Sequence, residues 1–217
     1  MTTTYLLFER WVASYLRWGV AIEEQKESAK DFRNNMLHTA ARKKYSQVVE
    51  ILLTAGADNE FRLLHKTPLL VSAETGDVAT AGVLLRRGAR TDAKDNNEQT
   101  ALIIAAAKGD NTMVRLLVNH GANKESKSRY GRTALHHAAS NGHDTTVQLL
   151  VDTGANKEAK DIYSYTALHL VASNGHNSAV KLLVQRLGAD KEAEDYKRRT
   201  ALHHAALTGH DYGKAAR

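Results

Sequence analysis

The chain has eleven histidines, and seven of them fall into two repeated patterns. His38, His136, His169 and His203 occupy matching positions in a recurring motif, and His143, His176 and His210 each follow a glycine. Imidazoles in such numbers suggest metal ligation or proton transfer. A zinc ion, however, needs its ligands about 2.0–2.1 Å away. Neighbouring packed helices lie about 8–10 Å apart, so one histidine per repeat cannot converge on one ion. His136-His137 and His203-His204 are sequence neighbours that point to different sides of a helix, and Leu170 interrupts the second series. The chain has no cysteine, which excludes disulfides and thiolate chemistry. It carries no nucleophile elbow, phosphate-cradling glycine loop or His-Glu metal helix. Asp and Glu lie mainly in polar links and on helix surfaces. No catalytic residue, metal or cofactor is expected.

The elements that position these histidines repeat about every 33 residues. Thr133-Ala134-Leu135-His136-His137-Ala138-Ala139 returns as Thr166 to Ala172 and as Thr200 to Ala206. Earlier forms begin at Thr67 and Thr100. A fixed period of this length indicates stacked units. In each unit the threonine caps a short helix, Asn35 standing in its place in the first. Pro68 suits the first helical position. Gly76, Gly109, Gly142, Gly175 and Gly209 close the first helix, with Lys44 at the matching place under backbone strain of about 1–2 kcal/mol. A second helix follows, with Val147, Leu150 and Val151 on one face in the type unit. Gly154-Ala155 ends it, and a polar link long enough for a projecting finger leads to the next threonine.

The irregularities divide the chain into residues 1–34, an N-terminal capping helix with its link; residues 35–199, five repeats; and residues 200–217, a truncated sixth. Residues 5–19 imitate a second helix closed by Gly19, with Val12, Tyr15 and Leu16 on the core spacing. A membrane-surface helix bearing Trp11 and Trp18 is the alternative. The link from Gly19 to Asn35 is long, which suggests an insertion around Glu23 to Asp31. An extra residue near Leu187 predicts a lengthened helix end or bulge. After Gly209-His210 no Leu-Leu helix follows, so the final half-repeat is expected to fray.

The Thr-Ala-Leu-His-His-Ala-Ala core, Asn141-Gly142-His143, the Leu-Leu pair and Gly154-Ala155-Asn156 resemble the ankyrin repeat. Links such as Asn156-Lys157-Glu158-Ala159-Lys160-Asp161 look like those of fungal ankyrin proteins. The resemblance implies an all-α fold: a curved solenoid of helix-turn-helix units with β-hairpin fingers, about five full repeats and a partial one at each end. It also implies that the motif histidines are structural, bonded within and between repeats.

Binding in such arrays is expected at the fingertips and along the concave face of the first helices. Here the fourth finger offers Arg129, Tyr130 and Arg132, the fifth Ile162, Tyr163 and Tyr165, and the sixth Tyr196, Lys197, Arg198 and Arg199. Lys108, Ser140, Asn141, Ser173 and Asn174 would line the adjoining groove. Tyr and Arg dominate interface hot spots. The tyrosines could instead stack on one another and stiffen the fingers. Glu98, Ser164 and Arg198 replace the glycine usual in the finger, which leaves hairpin geometry there open.

These features predict a non-catalytic protein–protein interaction scaffold or adaptor for a protein partner, acidic or extended. A net charge of +6 also admits nucleic acid, although the basic residues are scattered among acids. A third reading is an accessory protein of a biosynthetic or multidomain assembly. The N-terminus does not resemble a signal peptide, and no apolar run approaches a membrane span. A monomer in the cytoplasm or nucleus is expected.

Overall fold

The computed structural model describes residues 26–209, which are built from helices joined by turns. They fall into two compact units divided between Arg90 and Thr91. The proposed capping helix over residues 5–19 lies outside the described residues.

The first unit contains α1 (Lys26–Arg42), α2 (Ser46–Thr54), α3 (Pro68–Thr75) and α4 (Val78–Arg86). α1 corrects one expectation. It runs straight through Asn35, whose carbonyl accepts from the Thr39 hydroxyl at 3.0 Å, so Asn35 caps nothing. Residues 26–31 of the expected insertion are helix, since no glycine or proline stops them. Asn34 is buried and accepts the Asp58 N–H at 2.8 Å. Lys44 takes the left-handed conformation at φ 62°, as Gly76 does at 68°. Thr67 caps α3 by accepting the Leu70 N–H, with Pro68 at the first helical position. Leu37, Leu52, Leu69, Leu70 and Leu84 form a core closed to solvent. Each such burial contributes about 1.5–3 kcal/mol.

The second unit contains α5 (Ala101–Lys108), α6 (Asn111–Asn119), α7 (Ala134–Ser140), α8 (Asp144–Asp152), α9 (Ala167–Ser173), α10 (Asn177–Lys181) and α11 (Ala201–Leu207). The first helices α5, α7, α9 and α11 pack in sequence. Buried alanines such as Ala105, Ala138, Ala139 and Ala172 let them approach closely. Leu102, Leu117, Leu135, Leu150 and Leu183 fill the space between first and second helices. The turns that close the first helices interlock. A Cβ on Gly109 would stand 2.7 Å from the His143 ring, and one on Gly142 would stand 2.7 Å from that of His176. The His143 and His176 rings bond to the carbonyls of Ala107 and Ser140 in the preceding repeat, at 3.1 and 3.0 Å.

The extra residue near Leu187 produces a π-helical turn over Leu182–Arg186, which continues α10. There the Leu187 N–H reaches back five residues to the Leu182 carbonyl at 3.0 Å. α11 leaves Leu202 and Leu207 exposed.

No strand forms among the described residues. The fingers instead hold their shape by tight turns, and a single strand-type bridge joins Leu63 to Lys66.

Candidate functional site

Fingers three to six share one closing backbone bond, and in fingers three, five and six an aspartate also accepts amides of its own turn. Five residues before the threonine of a repeat stands an acid or a serine: Asp95, Ser128, Asp161 or Asp195. The Asp161 carboxylate accepts the Tyr163 and Tyr165 N–H groups at 2.8 and 3.0 Å. Asp195 accepts those of Lys197 and Arg199 at 2.8 and 2.9 Å. The Asp161 N–H donates to the Tyr165 carbonyl and the Asp195 N–H to that of Arg199, which closes each finger. Glu98, Gly131, Ser164 and Arg198 all take positive φ, between 57° and 71°. The three non-glycine residues therefore keep the turn geometry at the cost of backbone strain.

Successive fingers are tied together along the backbone. The Arg129 N–H donates to the Asn97 carbonyl at 3.0 Å, Ile162 to Tyr130 at 3.2 Å, and Tyr196 to Tyr163 at 3.2 Å. This platform carries the side chains expected to bind a partner and sorts them into two groups.

One group faces outward. Tyr130, Ile162, Tyr163 and Tyr196 are between 43% and 58% exposed, and Arg129, Lys197 and Arg198 are exposed beside them. The Tyr163 and Tyr196 rings lie 5.9 Å apart, and the Lys197 ammonium sits 5.3 Å from the Tyr196 centroid. The Arg129 guanidinium donates to the Asn96 carbonyl.

The other group turns inward. Arg132 donates to Asp161 at 3.1 Å, and Arg199 to Asp195 at 3.0 Å. Tyr165 lies half-buried within 6.0 Å of Tyr163, 5.9 Å of His169 and 5.0 Å of His204. Its hydroxyl accepts from Arg199 at 3.3 Å. A chain of rings thus runs from the exposed tip at Tyr196 to buried His204, which meets Asp195 at 2.8 Å. Burial works against a charge on Asp195. Bonds from the Arg199 N–H, His204, the Arg199 guanidinium and the Lys197 N–H outweigh it and hold the carboxyl well below the usual range.

The motif histidines lock first helices to fingers. The Thr133 N–H and hydroxyl lie 3.2 and 2.9 Å from His136 Nδ1, which must then accept. Nε2 carries the proton and donates to the Tyr165 carbonyl at 2.9 Å. His169 repeats this between Thr166 and the Arg199 carbonyl. Burial pushes both pKa values down, and the carbonyl bonds only partly restore them. His137, desolvated and facing Arg132, falls to about 4. Among the described residues no cluster of His, Asp and Glu is placed to hold a metal, and no helix is long and apolar enough to cross a membrane.

Along the first-helix face, Asn141 donates to the Ala107 carbonyl at 2.8 Å and Asn174 to that of Ser140 at 2.8 Å. Both asparagines remain exposed, with Ser140 and Ser173 half-buried between them and Lys108 exposed at one end. A lysine series not anticipated from the sequence runs past the fingers. Lys94 Nζ donates to the Lys127 carbonyl at 2.9 Å, Lys127 Nζ to that of Lys160 at 3.0 Å, and Lys160 Nζ to that of Glu194 at 3.2 Å. Its 33-residue spacing, like that of the finger acids, was the signal available.

A solved ankyrin repeat domain from Acinetobacter baumannii AYE has a similar fold over 83% of this chain and 93% of its own, with a TM-score of 0.76 and 31% identity. The transient receptor potential cation channel subfamily A member 1 homolog of Caenorhabditis elegans is 34% identical over 88 residues. Those residues make up 40% of this chain and 7% of that protein. The family model for three-copy ankyrin repeats matches residues 69–161 and 158–215, and the single-repeat model matches residues 33–62. The chain belongs to the ankyrin repeat family.

Proposed function

We propose that the chain is a non-catalytic scaffold that holds a protein partner against fingers four to six and the adjoining first-helix face. One observation carries this reading: Tyr130, Ile162, Tyr163 and Tyr196 are large, apolar and exposed on fingers whose backbones are bonded to one another. Rigid aromatic groups lose little freedom on binding and supply much contact area. Arg132, Tyr165 and Arg199 then support the surface from within. Arg129 and Lys197 border it, and Ser140, Asn141, Ser173 and Asn174 extend it.

The 88-residue match to a protein many times longer supports a second reading, in which the array serves inside a larger assembly. The two readings are compatible.

An affinity pull-down from host lysate, read by mass spectrometry, tests the assignment. The comparison is the triple variant Tyr130→Ala, Tyr163→Ala, Tyr196→Ala, checked for native helix content. A partner held by the wild type and lost by the folded variant is the expected result. Equal retention by both would move the site away from these fingers.

A further inference from the structure

Charge along fingers four to six is compensated unevenly. Arg132 is neutralised by Asp161, and Arg199 by Asp195, inside the structure. Arg198 lies 3.5 Å from Glu194. Lys127, Arg129, Lys160 and Lys197 are exposed, and no carboxylate among the described residues pairs with them. Lys127 and Lys160 do make hydrogen bonds, but to neutral carbonyls that leave the positive charge in place.

These cations are also ordered. Lys127 and Lys160 sit at the same position in successive repeats, each directly before the residue that starts a finger turn. Each is held by a bond to the next repeat, so its ammonium is already fixed in position. Arg129 and Lys197 lie at the tips beside Tyr130 and Tyr196. The same three fingers therefore carry exposed cations, of which Lys127, Arg129 and Lys160 are held by carbonyl bonds, and exposed aromatic and aliphatic groups.

We infer that the partner segment bound here is an extended acidic polypeptide whose carboxylates meet Lys127, Arg129, Lys160 and Lys197 while its apolar side chains rest on Tyr130, Ile162, Tyr163 and Tyr196. The inference rests on the finger reading above and adds the chemistry of the partner. The spacing supports it. Units built on packed helices repeat at about 8–10 Å. A polyproline-II chain advances about 3.1 Å per residue with three residues per turn, which returns a side chain to the same face about every 9 Å. One carboxylate every third residue therefore returns charge at the repeat interval, to Lys127 and Arg129 on finger four, Lys160 on finger five and Lys197 on finger six. A nucleic-acid strand carries a charge every few ångströms, whereas these four cations are spread over three fingers with exposed Ile162 among them.

The test uses the full chain and labelled peptides of about 12 residues, enough to cross three fingers in this conformation. The probe is a Glu-Pro-Leu repeat, with Gln-Pro-Leu and Lys-Pro-Leu repeats and an oligothymidylate of similar length as comparisons. Fluorescence anisotropy is read at about 50 and 200 mM salt. The Glu peptide is expected to bind at least about tenfold more tightly than the Gln peptide and to weaken severalfold at higher salt. The double variant Lys160→Gln, Lys197→Gln should lose most of that preference. Arg129→Gln with Lys197→Gln, which leaves the lysine series intact, should lose part of it with native helix content.

Equal binding of the Glu and Gln peptides, or no anisotropy change with the Glu peptide, overturns the inference. So does tighter binding of the oligothymidylate, which would make the cations a nucleic-acid surface. If the acidic peptide fails while the triple tyrosine variant still loses its lysate partner, the finger site stands and only the acidic assignment falls.

Discussion

Arg132 of finger four donates through Nε, at 3.1 Å, to an Asp161 carboxylate in finger five that solvent does not reach. The same carboxylate accepts two N–H groups of its own finger. Asp161→Ala leaves the guanidinium and both amides without their acceptor and should cost about 3 kcal/mol. Asp161→Asn keeps an oxygen for the amides and should cost about half as much. Urea unfolding of both variants checks this. Equal losses would mean that the amide bonds contribute little.

Ser164 and Arg198 hold positive φ, at 59° and 60°, where Gly131 does so at 71°. Ser164→Gly should stabilise the chain by about 0.5–1 kcal/mol, because relief of strain exceeds the added freedom of the unfolded chain. The reverse change, Gly131→Ala, should destabilise it. There a Cβ would stand 3.0 Å from the Ile162 backbone nitrogen. Thermal melts of the two variants should move in opposite directions.

Stability should fall as pH drops from about 6.5 towards 4. His38, His136, His137 and His169 have folded pKa values below 6.5, with burial the largest cause in each. Well above pH 6.5 both states are neutral and the groups add no pH dependence. Below it the unfolded chain takes up protons that the folded chain refuses, so folding weakens until the folded values are reached. His137, at about 4, accounts for up to about 3 kcal/mol of this. Its replacement by Leu, as at Leu170, should flatten the stability profile between pH 6.5 and 4 in urea titrations. An unchanged slope would show that His137 is not the group responsible.

Gly142→Ala should cost more than about 2 kcal/mol, since it adds left-handed strain at φ 69° to a clash with the His176 ring 2.7 Å away. Gly121→Ala meets nothing within 4 Å at φ 78° and should pay only the backbone part. The difference between the two in denaturant midpoint measures the interlock between repeats.

The helix framework was readable because its rules are local. Thr67 and Pro68 start a helix, Gly76 and Gly109 close one, and the leucine pairs mark a buried face, each within a few residues of chain. The structural role of His136 came from family resemblance, and its bonds agree. Three features do not follow from those rules. The length of α1 was hidden because Asn35 stands where a threonine caps the other repeats, in a stretch that nothing stops from being helix. Asp95, Asp161 and Asp195 read as link residues, because their role appears only when a carboxylate folds back on its own turn. Arg132, Tyr165 and Arg199 look like exposed tip residues in the sequence, since alternation does not show which side of a short turn a long side chain takes.

The π turn at Leu182–Arg186 absorbs one additional residue within a single helix end, and finger six beyond it repeats the bonding of finger five. For the gene, this marks a place where one codon can be gained without a frame of compensating changes downstream. In the middle of a helix such an insertion would turn the following side chains of that helix off the buried face. The displayed fingers thus keep their register across the 34 residues from Thr166 to Thr200 as across the 33 from Thr133 to Thr166.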